Sequence, residues 1–299
     1  MTSRESAQTA RGCLYLVATP IGNLEDISLR ALRILKEVDL IACEDTRQTL
    51  KLLSHFEIRK PLESYHEHNE MTRAPELVVR MEEGERIALV SDAGTPVISD
   101  PGHRLVSLCQ RHKIAVIPIP GPSAIVAALA GCGLPSDEFT FAGFLPARAG
   151  ERRRTLQRLA SGGRTLVFYE APHRLRACLE DALDVLGDRE AAVARELTKI
   201  HEEFLRGRIS ELLQRFAEKE PRGEITLVIA PPEPSDETAQ TGSAELQTAE
   251  IRPASFADRV AQISEEKNLD RKAALKQAAK EFKLTKREAY KRLLTERNS

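Results

Sequence analysis

Short apolar runs alternate with amphipathic stretches along most of the chain, and this alternation limits the fold more than any other feature. The runs have the length of buried strands, and apolar residues recur on one side of the stretches between them, as at Leu29, Leu32 and Leu35. The first predicted strands are 14–19, 40–45, 86–92 and 114–121, and the helices are 26–39, 46–56, 103–112 and 122–133. Apolar strands separated by helices form a mostly parallel sheet that is covered on both faces. The sequence therefore predicts an α/β domain over 13–133.

The alternation starts again after a break at 133–146. The further predicted strands are 164–172, 191–198 and 223–231, and the further helices are 173–187 and 209–219. A second α/β domain with its own sheet is expected over 134–231. Residues 232–252 are rich in Pro, Ser, Thr and Glu, a composition typical of flexible linkers.

The last part of the chain is basic, although the whole chain is nearly neutral. The 299 residues carry a net charge of −1, but 267–299 hold eleven Lys and Arg against four Asp and Glu. Helices are predicted to begin at Asp270 and at a capping box formed by Thr285 and Glu288. We expect 253–299 to be a basic helical domain whose charge suits contacts with phosphates, with a solvated helical bundle as the alternative.

The cysteines and the N-terminus bear on the cellular compartment. Five cysteines are far apart and form no C-x-x-C pair, so we expect them to be reduced and mostly buried. The polar N-terminus lacks the apolar core of a secretory signal, and no apolar run approaches the ~20 residues that span a bilayer. A cytoplasmic protein is therefore expected.

The segment 91–102, SDAGTPVISDPG, follows a predicted strand and is dense in small residues and proline. Small residues let a ligand approach the backbone, and proline holds a loop still. Ligands of open α/β sheets bind beyond the carboxyl ends of the strands, where this loop belongs. We interpret 92–98 as facing a ligand and 99–102 as capping and starting the next helix. A rigid structural turn is the alternative.

Other strand ends carry weaker signals. The loop 19–26 lacks the dinucleotide-binding and P-loop patterns, and 120–129 lacks the second glycine of a nucleophile elbow. Ser123 is expected in the first turn of the helix that follows. His66 and His68 have no third partner at zinc-like spacing, so no metal is expected and a substrate-binding loop is favoured.

Eight segments occur in the order found in one family and cover about residues 13–231. They are LYLVATPIGNLEDISLRA, CEDTR, SYHEHNE, VSDAGTPVISDPG, PGPSA, FYEAPHR, RELTKIHEE and GEITLVI. Together they resemble the bacterial 16S ribosomal RNA cytidine 2'-O-methyltransferases of the tetrapyrrole-methylase-like superfamily. The resemblance implies two α/β domains with the donor S-adenosyl-L-methionine bound folded in the cleft between them, and a homodimer. It also implies methylation of the ribose of cytidine 1402 in 16S rRNA of the small ribosomal subunit.

The resemblance further implies which residues bind the donor. They are Pro20, Ile21, Gly22, Asp92, Gly94, Thr95, Pro96, Val97, Ile98, Ser123, Ala124, Tyr169, Glu224, Ile225 and Thr226. The family motif gives no agreed catalytic base, and the polar candidates for catalysis are Glu44, Asp45, Arg47, His66, Glu67 and Glu170. The candidates for RNA contacts are His68, Asn69, Arg174, Lys199, Lys272, Lys276, Lys286, Arg287 and Lys291. Our hypothesis is that Arg47 and the 64–70 loop position RNA, while Asp92 and its loop hold the donor.

Two other functions remain open on the sequence alone. A methyltransferase acting on a tetrapyrrole or another small molecule would use the same donor cleft, although a small substrate needs no basic tail. A non-catalytic RNA-binding protein would keep the cleft only as a scaffold. An assay with a labelled methyl group separates the three functions. Label in rRNA indicates the rRNA methyltransferase, label in a porphyrinoid the small-molecule methyltransferase, and label in neither the non-catalytic protein.

Overall fold

The computed structural model describes residues 12–218 and 221–233, and beyond them 260, 263–264, 270–282, 284–285, 288–289 and 292–293. The chain divides into one compact unit over Met1–Glu233 and a second over Pro234–Ser299. The first unit contains two five-stranded sheets. Most of the predicted linker 232–252 lies outside the described residues.

All strands of the first sheet run parallel, as the sequence predicts. They are β1 (Cys13–Val17), β2 (Leu40–Cys43), β3 (Leu62–Ser64), β4 (Arg86–Val90) and β5 (Ala115–Ile119), in the order β3-β2-β4-β1-β5. The helices are α1 (Leu29–Glu37), α2 (Thr46–His55), α3 (Glu70–Glu82), α4 (His103–Arg111) and α5 (Ala124–Cys132). The sequence does not predict β3 and α3, because β3 has three half-buried residues and α3 contains Pro75.

The second sheet is mixed. Its strands are β6 (Phe139–Phe144), β7 (Thr165–Glu170), β8 (Glu190–Arg195), β9 (Glu203–Arg208) and β10 (Ile225–Ile229), in the order β6-β7-β10-β8-β9. Its helices are α6 (Ala149–Ala160), α7 (Pro172–Leu186) and α8 (Ile209–Glu218). Strands β6 and β7 pair in parallel, whereas the other neighbours are antiparallel. The loop between β8 and β9 is too short for the crossover that a parallel pair requires.

Helix α5 comes from the first half of the unit but packs on the second sheet. Ile125 and Leu129 share one buried apolar cluster with Val167 of β7 and Val228 of β10. Gly131 permits this close approach, because a Cβ atom there would lie 2.5 Å from Cζ of Phe204. The two sheets therefore meet through a shared core, and the cleft between them is held by packing.

The starts of two helices resolve points that the sequence leaves open. Ser28 caps α1, since its Oγ accepts a hydrogen bond of 3.1 Å from the backbone N–H of Ala31. Ser123 is the extended residue before α5 and makes no side-chain cap bond. The expectation that Ser123 lies in the first turn of the helix is therefore wrong, because its extended backbone keeps it in the loop after β5.

The second unit contains α9 (Arg271–Glu281), which begins where the sequence predicts. The Asp270 carboxylate accepts a hydrogen bond of 2.7 Å from the N–H of Ala273. Thr285 and Glu288 form the predicted capping box. The N–H of Thr285 donates to the Glu288 carboxylate at 2.8 Å, and the N–H of Glu288 donates to the Thr285 hydroxyl oxygen at 3.4 Å. Three of the basic residues expected to contact RNA lie outside the described residues, namely Lys286, Arg287 and Lys291.

Helix α9 presents one apolar and one basic side. Its buried residues belong to a small cluster and are Ala274, Leu275, Ala278 and Ala279. Its exposed basic residues follow at intervals of four and are Lys272, Lys276 and Lys280. The basic side is thus available for phosphate contacts.

The cysteines are all buried and none forms a disulfide, as predicted. No helix in the described part of the chain is long and apolar enough to cross a membrane. Among the same residues, no group of three or more His, Cys, Asp and Glu side chains is arranged to hold a metal ion.

Candidate active site

A cavity of about 400 Å³ lies between the loops at the carboxyl ends of the first sheet and one end of the second sheet. The loops after β1, β4 and β5 form one side, and the ends of β7 and β8 with the start of β10 form the other. Its volume falls within the ~300–1,000 Å³ of small-molecule sites, and its wall is largely apolar with a few polar groups. The cavity therefore has the position and the character of a cofactor or substrate site.

Hydrogen bonds hold the first-sheet side of the cavity together. Thr19 and Gly94 exchange two backbone bonds of 2.9 and 3.0 Å, and the Thr19 hydroxyl donates to the Ser91 carbonyl at 3.1 Å. The Thr95 hydroxyl donates to the Pro122 carbonyl at 3.3 Å. The loops after β1, β4 and β5 thus form one connected wall, so a ligand need not order them when it binds.

The loop 91–102 contains backbone strain beside this wall. Val97 has a φ of +77° and Ser99 a φ of +60°, in the left-handed region that side-chain-bearing residues rarely adopt. Each such residue costs ~1–3 kcal/mol and persists where the surroundings enforce it. Gly102 is the N-cap residue of α4, but Ser99 and Asp100 line the cavity. The expectation that the second part of this loop is only structural is therefore wrong.

Ten of the fifteen residues expected to bind the donor line the cavity. They are Ile21, Gly94, Thr95, Ile98, Ser123, Ala124, Tyr169, Glu224, Ile225 and Thr226. The other five lie outside its wall and are Pro20, Gly22, Asp92, Pro96 and Val97. Sequence reasoning missed the other wall residues apart from Glu170, among them Ser99, Asp100 and Phe144. The second Ser-Asp pair of the loop was the available signal for the first two.

Asp92 connects two loops. It is exposed, and its carboxylate accepts a hydrogen bond of 3.1 Å from the backbone N–H of Asp45, which follows β2. In the structure Asp92 therefore orients the start of α2, and the cavity wall is formed by its neighbours from Ala93 onward.

Gly22 lies where the loops of the two halves touch. A Cβ atom at Gly22 would lie 2.3 Å from Cγ of Lys199, 2.9 Å from Oγ1 of Thr198 and 3.0 Å from the carbonyl oxygen of Leu197. Lys199 cannot swing away freely, because its Nζ binds Glu196 at 2.8 Å and a second carboxylate at 2.9 Å. Both Ile21 and Leu197 line the cavity, so crowding at this point would change its shape.

We expect Gly22→Ala to weaken donor binding about tenfold, because overpacking at a tight contact costs ~1–3 kcal/mol. The dissociation constant of S-adenosylhomocysteine, measured by calorimetry, checks this. The matched control is Gly150→Ala, since a Cβ atom at Gly150 has no neighbour within 4 Å. Equal affinities for the two variants would contradict the role assigned to the contact.

An aromatic wall covers the second-sheet side of the cavity. The ring centroids of Phe144 and Tyr169 lie 5.7 Å apart, and both residues line it. Burial raises the pKa of Tyr169 to about 12, and the carboxylates of Asp100 and Glu224 add to the rise. Two aromatic faces and two nearby carboxylates make an environment that suits a cationic ligand.

Asp45 is a poor candidate for a general base. Its carboxylate accepts hydrogen bonds from Nε of Arg47 at 3.1 Å and from the backbone N–H of Arg47 at 2.8 Å. These bonds hold the pKa of Asp45 below its usual range. Asp45 instead caps α2 and keeps the exposed Arg47 guanidinium in place, where it can meet a phosphate.

Glu44 and Asp100 differ from Asp45 in that their pKa values are raised. Burial, followed by the charges of Asp92, Asp100, Glu67 and Asp45, raises the pKa of Glu44. Burial and the charge of Asp92 also raise the pKa of Asp100, although a hydrogen bond from Ser91 opposes the rise. A carboxylate with a raised pKa holds a proton more tightly and is a stronger base.

Asp100 has a position that Glu44 lacks. A groove of about 730 Å³ adjoins the cavity, and the two share Ser99 and Asp100 as wall residues. Of the sequence candidates for catalysis, Glu170 lines the first space and Glu67 the groove. Asp100 therefore lies where a ligand in one space meets a ligand in the other.

The 64–70 loop is built around Asn69. Its Oδ1 accepts a hydrogen bond of 2.9 Å from the N–H of His66, and its Nδ2 donates to the Ser64 carbonyl at 3.0 Å. The rings of His66 and His68 lie edge to face with centroids 5.9 Å apart. Asn69 thus shapes the loop, while the exposed His68 remains a candidate for RNA.

Two further candidates are engaged in ion pairs. Arg174 Nε lies 3.2 Å from the buried carboxylate of Glu170, which also accepts a hydrogen bond of 2.8 Å from the N–H of Ala171. Lys199 binds Glu196 and Glu224, and the raised pKa of Lys199 reflects these partners against the opposing effect of burial. Arg174 and Lys199 therefore fix the positions of carboxylates at the edge of the cavity. An RNA phosphate that binds either cation would compete with these carboxylates.

Comparison with known proteins adds a family to this geometry. Residues 13–213 match the model of the Tetrapyrrole (Corrin/Porphyrin) Methylases. Proteins named ribosomal RNA small subunit methyltransferase I are similar over most of the chain. The one from Thermotoga maritima is 52% identical over 73% of this chain and 98% of its own length. The one from Synechocystis sp. is 49% identical over 93% of this chain and 96% of its own length.

Solved structures share the fold at low sequence identity. Diphthine synthase has a TM-score of 0.58 and 16% identity, covering 73% of this chain and 90% of that one. The uroporphyrin-III C-methyltransferase of Thermus thermophilus, solved with S-adenosylhomocysteine, has a TM-score of 0.53 and 21% identity over 73% and 97% of the two chains. These likenesses concern the fold alone.

The matched residues span most of the first unit, from β1 into α8, and leave out β10 with the wall residues 223–226. The chain therefore belongs to the tetrapyrrole (corrin/porphyrin) methylase family, a class of S-adenosylmethionine-dependent methyltransferases. Within this family, it groups with the proteins named ribosomal RNA small subunit methyltransferase I.

Proposed function

We propose that this enzyme transfers a methyl group from S-adenosyl-L-methionine to the 2'-hydroxyl of a cytidine ribose in 16S rRNA. The observation that carries the proposal is the pair of adjoining spaces that share Asp100, in a chain about half identical to rRNA methyltransferases over most of its length. The cytidine, its number 1402 and the 2'-oxygen come from the motif resemblance described above.

The residues of the cavity fit the donor. The aromatic faces of Phe144 and Tyr169 and the carboxylates of Asp100 and Glu224 suit its positive charge. Gly94, with a φ of +85°, allows a ligand to approach the backbone. When bound, the donor supplies an electrophilic methyl group on a sulfonium centre. The apolar wall excludes water, which strengthens the electrostatic contacts of these side chains.

Asp100 is the residue that we assign as the proton acceptor. It lines both spaces, and its raised pKa favours proton binding. A ribose hydroxyl at the junction would meet the carboxylate, and a positioned base contributes ~10²–10⁴-fold to the rate. Glu44 also has a raised pKa, to which the charge of Asp100 contributes, but Glu44 lines neither space.

RNA is proposed to contact the chain at the exposed Arg47 and at the basic side of α9. Arg47 is exposed beside the loops of the first sheet and is held by Asp45. The basic side of α9 belongs to the second unit, for which we propose the role of an RNA-binding domain over 253–299. Phosphate contacts of this kind supply affinity without reading sequence.

We expect a triple variant with Lys272, Lys276 and Lys280 changed to glutamine to bind small ribosomal subunits more weakly. Its slope of log affinity against log salt should fall by about 2 to 3, because each phosphate contact contributes ~0.7–0.9. Filter binding across a salt series measures this slope. The affinity for S-adenosylhomocysteine should stay the same. An unchanged slope would show that this side of α9 does not contact RNA.

A direct assay tests the proposed function. The protein is incubated with donor labelled at the methyl group and with small ribosomal subunits, free 16S rRNA or a porphyrinoid, and the modified ribose is then mapped by nuclease digestion. We expect label at a single cytidine ribose in rRNA. Label in the porphyrinoid alone would favour the small-molecule methyltransferase, and no transfer would favour the non-catalytic RNA-binding protein. We further propose that the protein is cytoplasmic and forms a homodimer, and sedimentation of the purified protein checks the dimer.

A further inference from the structure

We propose that the groove beside the donor cavity holds the base of the acceptor cytidine, and that Glu70 and Arg104 bind its Watson–Crick edge. The inference rests on the proposed function and adds to it the site of nucleotide recognition. Glu70 ends the SYHEHNE segment but is not among the residues named above for catalysis or RNA contacts, and Arg104 lies outside the motif segments.

The groove has the position that a base needs. It lies beside the N-terminal ends of α3 and α4, which pack against each other, and it meets the donor cavity at Ser99 and Asp100. A ribose whose 2'-oxygen lies at that junction has its base on one side and the methyl donor on the other. The groove volume of about 730 Å³ accommodates a nucleoside turned out of its stack.

The walls of the groove provide apolar surface for the two faces of a base and polar groups for its edge. Val97, Pro101 and Leu108 contribute apolar surface for the faces of the ring. Glu70 and Arg104 bring a hydrogen-bond acceptor and several donors into the same space. Both act on the phenol of Tyr65: burial and the charge of Glu70 raise its pKa to about 12, and Arg104 opposes this rise. The two opposite charges thus lie near one another.

Arg104 has unused binding capacity. Its Nε is buried and has no hydrogen-bond partner, and no ion pair of Arg104 occurs among the described residues. A buried donor without a partner is costly, and natural structures usually satisfy it with protein, water or a ligand. Because Arg104 also lines the groove, we assign its guanidinium as the donor for a ligand there.

The combination of a carboxylate and a guanidinium matches cytosine. Cytosine presents an amino donor at N4 beside two acceptors, N3 and O2, whereas uracil presents an acceptor at O4 beside a donor at N3. Glu70 can accept from N4, and Arg104 can donate to N3 and O2. Uracil would place an acceptor against the carboxylate and a donor against the guanidinium, so the groove should discriminate against uridine.

The same groove provides for the phosphate of the nucleotide. His103 and Arg111 line it, and α4 starts at His103 after Gly102, a residue with no side chain to cap it. The free N–H groups of this nine-residue helix favour an anion at its start. A nucleotide can thus be held at its base and at its phosphate.

The test compares small subunits that carry cytidine or uridine at the mapped position. The variants are Glu70→Gln and Arg104→Gln, and the control is Glu83→Gln, an exposed glutamate at the other end of α3. We expect each groove variant to lose about 10- to 100-fold in kcat/KM on cytidine and to lower the cytidine-to-uridine ratio by about tenfold or more. The dissociation constant of S-adenosylhomocysteine should match the wild type, which also verifies that the variants fold.

The possible outcomes separate this inference from the function on which it rests. Variants that bind the donor normally and keep the wild-type cytidine-to-uridine ratio would overturn the groove assignment while leaving the rRNA methyltransferase in place. A wild-type enzyme that methylates both nucleotides equally would do the same. A wild-type enzyme that modifies no rRNA would overturn the proposed function and this inference together.

Discussion

Replacement of Asp100 by asparagine should lower the rate of rRNA methylation by about 10²–10⁴-fold, the usual contribution of a positioned base. Asparagine has nearly the same shape but cannot accept the proton at neutral pH. Because Asp100 lies at the junction of the two spaces, the loss should appear in the rate constant of the methyl-transfer step, measured under single-turnover conditions with saturating subunits. Donor affinity should change much less, which calorimetry with S-adenosylhomocysteine checks.

The same variant should be at least as stable as the wild type at neutral pH. The folded-state pKa of Asp100 is raised, so the ionised carboxylate is less favourable in the native protein than in the unfolded chain. This penalty is present above the folded pKa and disappears as the pH falls through it. The stability difference between Asp100→Asn and wild type should therefore shrink on acidification. A variant with lower stability at every pH would indicate a structural role for Asp100.

Asp92→Asn is the matched control for the charge effect. Asp92 raises the pKa of both Asp100 and Glu44, so removal of its charge should move the acidic limb of the pH–rate profile to lower pH. Asparagine retains the oxygen that accepts from the N–H of Asp45, so the start of α2 should be preserved. An acidic limb that does not move would exclude both carboxylates as the group that titrates in catalysis.

The second large effect concerns stability. Arg152 is 5% exposed and Asp181 is 3% exposed, and Nε of Arg152 donates to the Asp181 carboxylate at 2.7 Å. We expect Arg152→Met to lower the free energy of unfolding by about 3–5 kcal/mol, because it leaves a buried carboxylate poorly compensated. Denaturant unfolding of the purified chain measures this loss.

Arg153→Met is the control, because Arg153 binds the same carboxylate at 2.5 Å from a half-exposed position. It should cost less than about 1 kcal/mol, as exposed ion pairs do. The double variant Arg152→Met with Asp181→Leu should recover most of the stability, since apolar replacement of a buried pair is often neutral. If Arg152→Met and Arg153→Met lowered the free energy of unfolding equally, burial would not be the cause of the Arg152 effect.

The sequence predicts those elements whose residues are buried on both faces. Strands β1, β2, β4, β7 and β10 have continuous apolar sequences, and each lies near its predicted position. The edge strands β6 and β9 are missing from the prediction because their residues are mostly half-buried or exposed. Edge strands lack neighbours on one side, so the periodicity that marks a buried strand is weak in them.

The site shows a second limit of the sequence. The motif loop 91–102 offers two similar aspartates, Asp92 and Asp100, and only the second lines the cavity. Two positive φ angles, at Val97 and Ser99, shape the turn just before Asp100, and nothing in the local sequence favours that conformation for these residues. Likewise, Arg152 and Arg153 are adjacent arginines, and only the tertiary fold determines that the first is buried.

Helix α5 has a consequence for how the chain can be divided. Because its apolar surface fills the core of the second sheet, a cut between α5 and β6 would leave each fragment with an exposed hydrophobic face. Neither half of the first unit would then be a self-sufficient folding unit, even though each has a complete sheet. Two such fragments should be soluble together and aggregate apart, so the catalytic cleft arises only when both halves have condensed onto this helix.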